Sequence, residues 1–187
     1  MQLALKRFPA RNLSEYFEVL RQKSITTNGI FGMKAIYEDF EPLLASQLVN
    51  RALGVPHILF LTRKDVAAQA ISSYVARTKG LWHSTHMGRT EKIDVGFDRP
   101  AILKLIDRFM GDRMRWERFF SLYGVEPPRI EYEDLGPTTI AGQIERICEY
   151  IGIQSPATHA GLTSSLKILR DEKSIEWAAQ IRSHFKL

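Results

Sequence analysis

The residues best suited to chemistry are Arg63, Lys64 and Asp65, which follow the short apolar run Ile58-Leu59-Phe60-Leu61. That run is too brief for a buried helix and is flanked by turn residues, so it reads as a buried parallel strand. Asp65 is a good helix N-cap. Val66, Ala70, Ile71 and Tyr74 recur behind it at helical spacing, up to Gly80, which suits a C-cap. The pattern predicts strand, basic turn, helix. Free N–H groups at a helix N-terminus, with a guanidinium beside them, form an anion site whose natural occupant is phosphate. The plain alternative for Arg63 is a surface arginine after a strand.

Other side chains offer less. Trp82 with His83 could face a sugar ring, and an anchoring half-buried Trp is an equal reading. His83 and His86 have an H-x-x-H spacing, but no carboxylate or third ligand accompanies them, so no metal site is expected. Lys34 reads as solvent-facing. Arg108, Arg113, Arg115 and Arg118 alternate with Asp107, Asp112 and Glu117, which is most simply a solvated helix face. Cys148 is the only cysteine, which excludes an intrachain disulfide. It falls on the apolar side of a helix and reads as inert.

The elements that must position Arg63 are legible around it. With 187 residues, 44% hydrophobic and 25% charged, the chain suits a single globular domain over 1–187. Asn12 to Gln22 is predicted helical, with Leu13, Tyr16, Phe17 and Leu20 on one face and Asn12 or Ser14 as cap. Thr26 to Gly29 is a turn, and Ile30 to Ile36 is predicted as a strand. Phe40 to Leu53 returns to helical spacing. Strand, helix, strand, helix makes a parallel α/β unit the economical topology. A polar loop follows Trp82 to about Arg99. Ala101 to Tyr123 is the longest helical pattern. Arg129 to Leu135 is predicted as a strand with Ile130 and Tyr132 inward. A helix capped by Thr138 or Thr139 runs to Gly152, and a last one spans roughly Ser174 to Phe185 with Ile175, Ala178, Ala179 and Ile181 apolar.

The net charge of +5 favours an anionic ligand. On charge alone a nucleic-acid-binding domain is an alternative, but no zinc-finger, RNP or helix-turn-helix signature accompanies it. No apolar run approaches membrane-spanning length, and a cytoplasmic protein is expected.

Several of these residues fall in a familiar order: Asn28-Gly29-Ile30-Phe31-Gly32-Met33-Lys34, then Arg63-Lys64-Asp65, Gln69-Ala70-Ile71-Ser72, Ala76, Thr78, Gly80 and Trp82, then Trp116, Phe120, Val125-Glu126-Pro127, Tyr132 and Leu135, and last Glu176-Trp177. The chain resembles the bacterial carbohydrate sulfotransferases typified by trehalose 2-sulfotransferase, with relatives acting on lipopolysaccharide and nodulation factors. The resemblance implies a P-loop-kinase-like parallel sheet flanked by helices. It implies the sulfate donor 3′-phosphoadenosine 5′-phosphosulfate and a carbohydrate or glycolipid acceptor. It also implies that an Arg and a Ser of the second strand-turn-helix bind the donor's 3′-phosphate; carried over, these are Arg63 and Ser72. If the helix begins at Asp65, Ser72 lies two turns inside, roughly 10 Å from the start at ~1.5 Å per residue. It reaches a phosphate only if the helix starts late, and Gln69 is then a competing ligand. Lys173, four residues before Trp177, falls where the family carries a basic residue.

Sulfotransferases of this kind open with a strand and a Gly-Ser-Thr-type loop that cradles the 5′-phosphosulfate, with a Glu base just beyond. No such run and no G-x-x-x-x-G-K-[ST] occurs here. Glu15-Tyr16-Phe17 is a superficial match to the base segment, and the catalytic base stays unassigned. The expectation is therefore an N-terminally truncated member, with nucleotide recognition retained and sulfuryl transfer impaired. A non-catalytic remnant, or a subunit that associates through an exposed sheet edge, is the alternative, and a homo-oligomer is one form it could take.

Overall fold

The computed structural model describes residues 10–45, 47, 51, 54–80, 94–136, 138–156 and 172–183. The chain divides into two compact units, Met1–His57 and Ile58–Leu187.

In the first unit, helix α1 (Leu13–Ser24) begins where the sequence says it should. The Asn12 side chain accepts the Glu15 N–H at 2.9 Å, a side-chain N-cap. Phe17 is its buried residue. Helix α2 (Tyr37–Ala45) starts three residues before the expected Phe40 and buries Tyr37, Phe40 and Leu43. Most of the expected continuation to Leu53 lies outside the described residues. The predicted strand Ile30–Ile36 is corrected: the segment has no regular structure. Its first residue spends its backbone groups locally. The Thr26 N–H donates to the Ile30 carbonyl at 2.8 Å, and the Ile30 N–H donates to Thr26 Oγ1 at 3.0 Å. Apolar Met33 and Ile36 remain 45% exposed. A strand exists only against a partner, and apolar letters alone do not supply one.

The second unit holds strand β1 (Phe60–Thr62), helix α3 (Val66–Lys79), helix α4 (Arg99–Tyr123), strand β2 (Arg129–Glu131), a 3-10 turn at Tyr132–Asp134, helix α5 (Ile140–Tyr150) and helix α6 (Glu172–Ser183). β1 and β2 pair in parallel, with Phe60 opposite Arg129, Leu61 opposite Ile130 and Thr62 opposite Glu131. The architecture is α/β, with a two-stranded parallel sheet and six α-helices among the described residues.

Local chemistry closes the helices. Asp65 Oδ1 accepts the Ala68 N–H at 3.0 Å, and α3 ends at Gly80 in the left-handed region with φ 66°. Asp98 caps α4 through the Ala101 N–H at 3.0 Å, and Gly124, φ 61°, ends it. The core forms where α3, α4 and α6 meet, around Ala70, Ile71, Val95, Ile102, Leu105, Trp177, Ala178 and Ile181. Ile71 and Ile102 are 0% exposed, and burying each is worth about 1.5–3 kcal/mol. In α6 the expected apolar face is corrected: Trp177, Ala178 and Ile181 are buried, whereas Ile175 and Ala179 face solvent.

An aromatic cluster joins sheet to helix. Phe60 meets Phe120 edge-on at 5.1 Å and Trp116 at 6.5 Å between centroids. These rings cover one face of β1 only, so the expectation of a fully buried strand is corrected. Phe60 is buried, but Leu61, on the opposite face, is 49% exposed.

The start of β2 is clamped to α4 by a two-pronged ion pair, Arg129 Nη1 to Glu117 Oε1 at 2.5 Å and Nη2 to Oε2 at 2.7 Å. The Arg129 hydrogen bonds hold the Glu117 carboxyl below its usual value of 4.5. This stabilisation is therefore complete above that value and is lost as the pH falls through the lowered one. Glu117→Gln is expected to lower the urea midpoint at pH 7, with the gap to wild type narrowing as both proteins are acidified through the lowered value. A gap that does not narrow on acidification would show that the charge is not what matters.

Candidate site at the exit of the first strand

Parallel strands put their carboxyl ends on the same edge of a sheet, where ligands of α/β proteins bind. The register does the rest. Thr62 lies opposite Glu131, so the next residues, Arg63 and Lys64, run beside Tyr132 and Glu133. Arg63 Cζ lies over the Tyr132 ring, 4.0 Å from its centroid. The Lys64 N–H donates to Glu133 Oε2 at 3.0 Å. Lys64 Nζ pairs with Glu131 at 2.6 Å and with Asp134 at 3.6 Å. The Glu131 hydrogen bond, then the charges of Asp134 and Glu131, raise the exposed Lys64 ammonium above its usual range. Burial works against the Glu133 charge. The backbone N–H groups of Lys64, Glu133 and Asp65, with the Arg63 charge, outweigh it and hold that carboxyl below the ordinary value.

A third cation arrives from α6. Arg182 Nη2 donates to Asp65 Oδ1 at 2.8 Å, so Asp65 both caps α3 and anchors the C-terminal helix. Removing that carboxylate in Asp65→Ala is expected to cost about 0.5–2 kcal/mol in a thermal or urea melt. Asp65→Asn keeps a capping oxygen and is expected to lose less; equal losses would refute the capping role.

Three cations thus meet at one end of α3, and they are not equivalent. Lys64 and Arg182 are paired with carboxylates. Among the described residues, Arg63 makes no ion pair and no hydrogen bond through its guanidinium. It is held by its face, and its five in-plane N–H donors are not committed to a protein acceptor.

The other sequence-predicted residues are placed as follows. α3 begins at Val66 directly after its cap, so the late start that would bring Ser72 close is not adopted. Ser72 is exposed on the second turn, and Gln69 is half-buried in the first, its N–H donating to the Asp65 carbonyl at 3.0 Å. Lys173 is not brought to Arg63. It pairs with Asp94 at 2.7 Å and lines a small pocket with Val75, Lys79 and Trp177, at the far end of α3. With 14 residues in α3, that end lies about 20 Å from the N-terminus. α6 runs back along α3, so its later residue, Arg182, reaches the site instead. Glu15 accepts the Arg11 N–H at 2.8 Å and its Nε at 3.2 Å. These contacts, the backbone one first, lower its carboxyl below the usual range, which makes it a weaker base. Trp82, His83 and His86 lie outside the described residues.

Tyr132, Glu133 and Arg182 went unassigned in the sequence. Tyr132 was expected to point inward, but β2 ends at Glu131 and the 3-10 turn swings it out, leaving it 37% exposed. Only the register with β1 marks it as the neighbour of Arg63. Among the described residues no helix is long and apolar enough to cross a membrane.

The site and fold define an α/β protein with a basic strand-to-helix turn at the carboxyl end of its parallel sheet. The model of the Stf0 sulphotransferase family matches residues 10–184, and the chain belongs to that family. A comparison with curated proteins finds no match.

Proposed function

We propose that the chain binds the sulfate donor 3′-phosphoadenosine 5′-phosphosulfate at the exit of β1, with Arg63 on the 3′-phosphate, and that it serves transfer of the sulfuryl group to a carbohydrate hydroxyl. Family membership supports the reaction class, since a sulfotransferase requires a sulfate donor. The observation that carries the donor assignment is Arg63, a guanidinium seated on an aromatic face with its N–H edge uncommitted. A planar fork of donors suits phosphate oxygens better than a point charge does.

In this reading the acceptor oxygen attacks sulfur in line. The bond from sulfur to the 5′-phosphate oxygen breaks, a base takes the acceptor proton, and adenosine 3′,5′-bisphosphate leaves. Arg63 binds the nucleotide and is remote from the bonds that change. The sulfuryl group, carried on the 5′-phosphate, must be held by other groups. Ser72 and Gln69, on the first two turns of α3, are proposed as further contacts to the donor only if the first turn of that helix, which begins at Val66, opens on binding. Lys173 joins them only if its pair with Asp94 opens. A P-loop-kinase-like topology belongs to the same proposal, as does a sugar or glycolipid acceptor.

Titration calorimetry with adenosine 3′,5′-bisphosphate tests the reading: wild type binds, and Arg63→Ala binds more weakly. Equal affinity in the two proteins would remove Arg63 from the site.

A further inference from the structure

We infer that Tyr132 is a positioning residue for donor binding: its ring holds the Arg63 guanidinium by the face, so that the N–H edge is presented to the 3′-phosphate without a search among rotamers. The inference rests on the reading of Arg63 given above and extends it to a residue that touches the ligand only through Arg63.

Four observations carry it. The Arg63 guanidinium lies 4.0 Å from the Tyr132 centroid, within the range where a cation is drawn to the ring quadrupole. A carboxylate partner would occupy the same N–H donors a phosphate needs, and a ring does not, because it takes the face of the cation and leaves the edge. The turn that carries the ring is tied to the strand exit. The next residue, Glu133, accepts the Lys64 N–H at 3.0 Å, so two consecutive residues of the 3-10 turn grip two consecutive residues of the β1 exit. Finally, Tyr132 is partly exposed and lies outside the buried core of the described residues, so the packing seen there does not call for an aromatic at this position. An arginine side chain otherwise loses much rotamer freedom on binding, and a pre-seated one loses less.

The ligand pair that isolates the effect is adenosine 3′,5′-bisphosphate against adenosine 5′-monophosphate, which lacks the 3′-phosphate. Calorimetry on the full chain compares wild type, Tyr132→Leu, Tyr132→Phe, Arg63→Ala and the double variant Arg63→Ala/Tyr132→Leu. Tyr132→Leu is expected to weaken the bisphosphate by about two- to five-fold, the worth of an exposed cation–ring contact. It leaves the monophosphate unchanged, Tyr132→Phe keeps wild-type affinity, and Tyr132→Leu costs nothing further once Arg63 is alanine. A loss shared equally by both ligands would assign Tyr132 a general structural role and overturn the inference. So would wild-type affinity in Tyr132→Leu, a Tyr132→Phe as weak as the Leu variant, or a full additional loss in the double variant. If Arg63→Ala binds like wild type, or wild type binds neither ligand, the donor-site reading itself falls and takes the inference with it. If Arg63→Ala weakens binding while Tyr132→Leu does not, only the role of Tyr132 falls.

Discussion

Trp177→Ala is expected to destabilise the Ile58–Leu187 unit by about 3–5 kcal/mol, the range for removing a buried large aromatic. Trp177 is 4% exposed and sits in the core with Ala178 and Ile181. Its ring meets Phe97 at 5.5 Å and Tyr74 at 6.2 Å between centroids, and the Lys173 ammonium lies 5.4 Å above it. It therefore joins α6 to α3 and to the segment before α4. The consequence reaches the site, because α6 also delivers Arg182 to Asp65. Loosening α6 removes a charge partner from the cap of α3. A urea melt reads the loss, and Trp177→Phe, which keeps a ring, should retain a large part of the stability. A drop below about 1 kcal/mol in the alanine variant would show that α6 is peripheral to the fold.

Arg63→Ala is expected to leave the melt within about 0.5 kcal/mol of wild type, since its side chain has no part in the buried core. The effect belongs in ligand affinity. Hydrogen bonds to a charged group are worth about 1.5–3 kcal/mol, which corresponds to roughly a 10- to 150-fold weaker dissociation constant for adenosine 3′,5′-bisphosphate. Added salt should weaken wild-type binding more than variant binding, because the variant has lost one cation facing the phosphate. The monophosphate is the control, and its affinity should not move. Glu133 also bears on this result. Its carboxylate lies close enough to the turn to accept the Lys64 N–H, so it adds negative charge near the incoming phosphate, and Arg63 must outweigh it.

Much of the architecture around this site is written locally. Asp65 and Gly80 bound α3, Asp98 and Gly124 bound α4, and Asn12 opens α1, each through a side-chain or backbone hydrogen bond within five residues. Such signals survive in a sequence because both partners sit in the same short window. Arg63 was legible for the same reason, as the basic residue between an apolar run and a capped helix. The family resemblance then pointed to the donor's 3′-phosphate as its partner.

The rest depended on neighbours far along the chain. Ile30–Ile36 carries strand letters, but no pairing strand takes up its backbone among the described residues. Leu61 and Phe60 are equally apolar, and only the placement of α4 decides which is covered. Lys173 and Arg182 are both basic residues of one helix. The direction in which α6 packs along α3 sends Arg182 to the site and Lys173 to Asp94.

By itself the sequence determined where α1 and α3 begin, where α3 and α4 end, and which arginine leaves the strand, because those caps are closed within a few residues. Only the tertiary structure decided what holds that arginine. Tyr132 reaches Arg63 across 69 positions of chain, through the parallel register that sets Thr62 opposite Glu131. Strand pairing is fixed by contacts whose partners no local window contains.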